Sequence, residues 1–130
     1  FTRVPERTAI LDQALSALLD DLSKRGMLDE TLIVLATEFG RTPNINVNEG
    51  RDHYPKAFSC MLAGGGIRGG QVWGKTDDEG RGVTDQRVEI PDFNATIAYC
   101  LGLPLDEIIY SPTRRPFTLS DKGNPLVELI

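Results

Sequence analysis

Five side chains able to ligate a metal or grip an anion fall within one short stretch: Glu38, Arg41, Arg51, Asp52 and His53. They lie in TEFGRTPNINVNEGRDHYPKAF, Thr37 to Phe58, which holds the only histidine of the chain. The same stretch carries three acids, two arginines and three asparagines, and shows neither a helical nor a strand period. A carboxylate and an imidazole brought together are ordinary ligands for zinc or manganese. Arg41 and Arg51 can hold an anion through forked hydrogen bonds. Asp52 can ligate a metal itself, or orient His53 from behind. A plainer use stays open for each of them. A loop histidine is more often a surface or hydrogen-bonded residue, and Glu38 with Arg41 can equally form a structural ion pair. A serine triad is not indicated, because Ser59 belongs to an expected buried strand.

The surrounding elements must bring these residues together. Pro5 suits a helix start. Leu11, Ala14, Leu15, Leu18 and Leu22 then recur at steps of three and four, with Asp12, Ser16, Asp20 and Ser23 on the other side. That spacing predicts an amphipathic helix, stopped by Gly26. TLIVLAT follows as a continuous apolar, β-branched run, the pattern of a strand buried on both faces in a parallel sheet. A helix leading into such a strand is half of an α/β crossover unit. Glu38, the first charged residue past that strand, should then lie on the sheet rim, where open α/β sheets hold their ligands. His53 stands just before the next predicted strand, AFSCMLA, Ala57 to Ala63. Glu38 and His53 are therefore expected to converge at one rim.

Further along, GGGIRGG is not a phosphate loop, since no Gly-Lys-Ser/Thr follows. QVWG and QRVEI read as two short strands around KTDDEGRGVTD, an acidic hairpin tip without the spacing of a calcium hand. Pro91 and Asp92 open a second helix, with Asp92 as its cap, and Gly102 ends it. A mostly irregular tail should follow, closing on LVELI. Leu32, Val34, Phe58 and Met61 are expected to be buried, with Leu11, Leu15, Leu18 and Leu22 covering a sheet face. Cys60 and Cys100 sit in apolar surroundings that suit buried thiols.

Composition bounds the rest. The 130 residues, with 40% hydrophobic and 25% charged side chains, match one ordinary globular domain. A net charge of −5 argues against nonspecific nucleic-acid binding. No apolar run approaches the length of a membrane span.

The segments DDLSKRGMLDETLIVLATEFGRTP, GRDHYPKAF, LAGGGIRGGQVWGKTD and IPDFNATIAYCLGLP closely resemble the C-terminal part of one bacterial family. It is the sulfatase-like family labelled domain of unknown function 1501, in the alkaline phosphatase superfamily. The likeness runs over nearly the whole chain and is most specific in EFGRTP and GRDH. It implies an α/β fold, the C-terminal portion of an alkaline phosphatase-like domain, with a mostly parallel sheet flanked by helices and a small β-hairpin. Residues 1–130 would be a single unit of that longer domain.

In the superfamily the matching strand ends in Asp-His-Gly, whose first two residues bind metal, and a later histidine before another strand binds metal too. Carried over, Glu38 takes the aspartate's place and His53 that of the later histidine. Phe39 stands where the second ligand would be, and phenylalanine cannot ligate. DFNATIAYCLG resembles the superfamily helix that begins Asp-x-x-Pro-Thr. The resemblance further implies a divalent metal (zinc, manganese or calcium), a small anionic ester as substrate, and an exported or periplasmic parent protein. Its nucleophile and further ligands come from segments before the first helix, and none of these matches a position here. The chain alone should then be catalytically silent and bind metal weakly, with an unpaired sheet edge beside LIVLA inviting self-association. The rival expectation is a non-catalytic binding or structural module on the same fold.

Overall fold

The computed structural model describes residues 3–130. Helix α1 spans Arg3–Lys24, with its apolar residues at helical spacing. Two exposed ion pairs support its last turn, Asp20–Lys24 at 2.5 Å and Asp21–Arg25 at 3.1 Å. Pairs of this kind contribute about 0.2–0.5 kcal/mol each. Gly26, at φ +66°, ends the helix in the left-handed conformation. Its N–H reaches the Ser23 carbonyl and the Met27 N–H that of Leu22, so two otherwise orphaned carbonyls are satisfied.

A 3-10 turn, Leu28–Glu30, leads into β1, Ile33–Leu35. The partner of β1 is Met61–Ala63, aligned antiparallel with Ile33 opposite Ala63 and Leu35 opposite Met61. Between them, two short strands, β2 (Gly40–Arg41) and β3 (His53–Tyr54), form a second antiparallel pair. Met61–Ala63 is thus β4. Lys75–Thr76 (β5) pairs with Val83–Asp85 (β6). Helix α2 covers Ile90–Cys100, and a last hairpin joins Ile108–Tyr110 (β7) to Pro116–Thr118 (β8). A 3-10 turn at Val127–Leu129 closes the chain.

The expected mostly parallel sheet flanked by helices is therefore not what forms. The described residues make two α-helices and four separate two-stranded antiparallel sheets, and no alkaline phosphatase-like fold emerges from them. The reason lies in the connection. A parallel pair needs a crossover that carries the chain back along the strand, usually through a helix. Residues 36–60 contain no helix, so β4 starts at the end where β1 stops and must run the other way. The turn after β4 is tight. A Cβ at Gly64 would come within 2.3 Å of the Thr31 carbonyl oxygen.

Other expectations shift with this one. β5 and β6 form inside the segment read as a loop tip, while QVWG and QRVEI stay outside the strands. The cause is the Asp77 carboxylate, which accepts the Glu79 and Arg81 N–H groups at 3.1 and 2.8 Å and closes the turn tightly beside it. These backbone donors, Arg81 first, hold its carboxyl below the usual range. The tail is less irregular than expected, since β7 and β8 pair within it. Cys60 is exposed, and Cys100 is half-buried with its thiol pushed up by burial.

The small core gathers around α2. Ala95, Thr96 and Ala98 are buried, with Ser120 of the tail. Glu89 caps the helix, and Asp92 in its first turn accepts the Glu89 N–H at 3.1 Å. The other Asp92 oxygen accepts the Asn124 N–H at 2.8 Å. The Thr96 hydroxyl donates to the Asp92 carbonyl and accepts the Leu126 N–H, at 2.7 and 2.9 Å. The Asp92–Thr96 pair thus anchors the tail across the helix. By contrast α1 buries only Leu22, at 8% exposure, while Leu11 and Leu18 stay 45% and 46% exposed. Leu32, Phe58 and Met61 are half-buried and Val34 is exposed. The expected cover of a sheet face by this helix does not form among the described residues.

Candidate functional site

The polar stretch folds back on itself through the β2–β3 pair. Arg41 stands directly opposite His53, and Gly40 opposite Tyr54. Antiparallel pairing of β1 with β4 makes this natural. The residues leaving β1 and those entering β4 share one end of that pair. β2 can come close only because residue 40 lacks a side chain, since a Cβ there would sit 2.2 Å from the Ala57 carbonyl oxygen.

Phe39 and His53 are face to face, with ring centroids 3.8 Å apart and planes inclined by 23°. The Arg41 guanidinium lies 5.6 Å from the centre of the same phenyl ring, within cation–π reach. A histidine binds metal, or moves a proton, through nitrogen lone pairs in its ring plane. A partner stacked on the face leaves those edges open while fixing the ring's tilt. Phe39 cannot ligate, and here it orients the residue that can.

Behind this pair the loop is tied by its own backbone. Thr42 N–H donates to the Asp52 carbonyl at 3.0 Å, and Asp52 N–H to the Thr42 hydroxyl at 3.1 Å. The Asn46 side chain is the knot of the NINVNEG segment. Its amide oxygen accepts the Asn48 and Gly50 N–H groups, each at 3.0 Å, and its amide nitrogen donates to an Asp52 carboxylate oxygen at 2.7 Å. Arg51 is half-buried and donates to the carbonyls of Thr42 and Pro43. Arg41 donates to the Arg51 carbonyl at 3.1 Å. Tyr54 ties the site to the β5–β6 turn through its hydroxyl, 2.6 Å from the Arg81 carbonyl.

Of the five residues singled out by the sequence, Arg41, Arg51, Asp52 and His53 are joined by the β2–β3 pair and its loop. His53 and Arg41 face each other across a ladder, Glu38 is exposed at the bend just before it, and Asp52 and Arg51 brace the loop. Sequence reasoning missed Asn46, whose only signal was the turn-forming NxN spacing. It also missed the positive role of Phe39.

Among the described residues no three His, Cys, Asp or Glu side chains gather as a metal cage. A catalytic zinc takes three ligands from protein. Glu38 and His53 are two, and Asp52 already shares a carboxylate oxygen with Asn46. No helix among the described residues is long and apolar enough to cross a membrane.

A family described as protein of unknown function DUF1501 matches residues 1–130, and the chain belongs to that family. No curated protein and no solved structure matches it.

Proposed function

We propose, for this member of the DUF1501 family, that the loop cluster is one part of a metal-dependent site hydrolysing phosphate or sulfate esters. The observation that carries this reading is the β2–β3 pair, which sets an orientated imidazole opposite an arginine and one bend away from an exposed carboxylate. Those are the types needed to hold a cation and a small anion side by side. The resemblance that sets Glu38 and His53 at the places of alkaline phosphatase superfamily metal ligands supports the same residues. His53 and Glu38 would contribute ligands to a zinc, manganese or calcium ion. Arg41 would steady the anionic ester, with Arg51 holding the loop that carries both, and Asp52 would keep His53 in register. The remaining ligands and the nucleophile are not among these residues. An exported parent protein fits this reading through the same likeness.

The test is calorimetric titration of the chain with zinc and manganese, beside an assay with generic aryl phosphate and sulfate esters. The chain should bind metal weakly, lose that binding on His53→Ala, and show no turnover above the metal-only blank. Metal binding indifferent to both His53→Ala and Glu38→Gln would overturn the assignment of ligands. Turnover abolished by His53→Ala would show instead that the site is complete within these residues. A non-catalytic module is the second reading, favoured by Phe39 at the place of a ligand. It requires that the full-length protein, purified without chelator, carries no metal at this cluster.

A further inference from the structure

Away from the loop cluster, β4, the GIRGGQVWG loop, the start of α2 and the tail line an open cleft of about 420 Å³. That volume is within the ordinary range of small-molecule sites, roughly 300–1,000 Å³. Its walls are more apolar than polar, and the apolar part includes Met61, Ile67, Trp73, Val88, Phe93 and Leu126. The backbone of the loop is fixed, with Arg68 N–H on the Leu129 carbonyl at 2.8 Å and the Gln71 amide on the Arg68 carbonyl at 3.1 Å. Its charge is the second observation. The chain as a whole carries 19 acids against 14 bases, yet the cleft is lined by Lys56, Arg68 and Arg87 against Glu89 alone. Glu89 pairs with Arg87 at 2.7 Å, which leaves Lys56 and Arg68 exposed and in no ion pair with a described residue. An apolar hollow with two uncompensated cations, in an acidic chain, selects for one kind of ligand.

We propose that this cleft binds a small amphipathic anion, its alkyl or aryl body lodged among the apolar walls and its carboxylate, sulfate or phosphate group held by Lys56 and Arg68. The apolar body supplies most of the attraction by leaving water. The two cations decide between an anion and a neutral molecule of the same shape. The site requires neither a metal nor turnover, so it stands or falls apart from the ester-hydrolysis reading.

Trp73 is the only tryptophan of the chain and forms part of the wall, so its emission reports on occupancy directly. The chain would be titrated with octyl phosphate below its micelle concentration, with inorganic phosphate and 1-octanol as the two half-ligands. Octyl phosphate should shift Trp73 emission saturably and slow alkylation of Cys60, which lines the same cleft. Replacing both exposed cations, Lys56→Gln with Arg68→Gln, should raise its apparent Kd about tenfold or more, the scale of a lost hydrogen bond to a charged group. Neither substitution removes a buried contact, so the fold should persist, as far-ultraviolet circular dichroism would verify. No saturable change with octyl phosphate would overturn the proposal. So would a 1-octanol response as strong as that of octyl phosphate, or equal octyl phosphate binding by the wild-type and doubly substituted chains.

Discussion

His53 meets its surroundings through its face, and that decides what Phe39 is for. Contacts between aromatic rings contribute on the order of 0.5–1.5 kcal/mol beyond the area they bury. The pair seen here is close, at 3.8 Å between centroids, and is aligned by the Arg41–His53 register. Phe39→Leu keeps an apolar side chain but removes the stack. It should lower the unfolding free energy by about 1 kcal/mol and leave the His53 ring signals broadened in NMR spectra. Unchanged stability and unchanged ring signals would mean that Phe39 does not hold the imidazole. In the sequence Phe39 reads only as a missing ligand. Its stacking role depends on which residue stands opposite which across β2 and β3, and two-residue strands leave no periodic trace to reveal that. Glu38, Arg41, Arg51, Asp52 and His53 stood out in the sequence because their density of charge and amide groups has no use in a core. Their division into site and scaffold was not, because it rests on where single donors point. Arg51, spent on two loop carbonyls, is the clearest instance.

At the scale of elements, both helices were legible, since spacing of three and four and a glycine stop are local properties. Strand direction was the error. The apolar run LIVLA suggested a doubly buried parallel strand, but only Ile33–Leu35 is strand and Val34 is 38% exposed. The sign that pointed the other way was the polar, helix-free stretch before β4, too irregular to serve as a crossover. The same lesson revises the energetics of α1. Full burial would make Leu18→Ala cost about 2–5 kcal/mol. Leu18 is nearly half exposed and Leu22 is buried, so the two positions should separate. Leu22→Ala should cost about 2 kcal/mol or more and Leu18→Ala less than about 1 kcal/mol. Urea denaturation of the two variants checks this. Equal losses would show that α1 buries its whole leucine stripe. Around α2 the polar residues matter as much as the apolar ones, since Asp92 and Thr96 bind the tail through its backbone N–H groups. The sequence marked Asp92 as a cap. It gave no sign that Thr96 would be fully buried, because that hydroxyl is satisfied by a residue thirty positions away.

For the whole molecule the deciding quantity is surface. A folded monomer of 14.3 kDa should expose about 6,800 Å². This chain exposes 9884 Å², with Leu22, Ala95 and Ala98 its only buried apolar side chains among the described residues. The excess is about 3,000 Å², more than the roughly 800 Å² per partner that a stable protein interface buries. Part of it is the α1 stripe, where Ile10, Leu11 and Leu18 stand in water on one helix face. β1 and β4 add open edges, since each has a single neighbour in its sheet. Unpaired strand N–H and C=O groups, and an exposed leucine stripe, are each conditions under which chains associate. The isolated chain is therefore expected to self-associate at micromolar concentration. Sedimentation velocity should show a weight-average coefficient that rises with concentration, and Leu11→Ser with Leu18→Ser should suppress the rise without loss of helix. That pair is chosen because neither side chain is buried in the fold, so the substitution removes stickiness and little stability. A concentration-independent monomer would show that the exposed stripe and edges are tolerated in solution. The charge of −5 would then be enough to keep the chains apart.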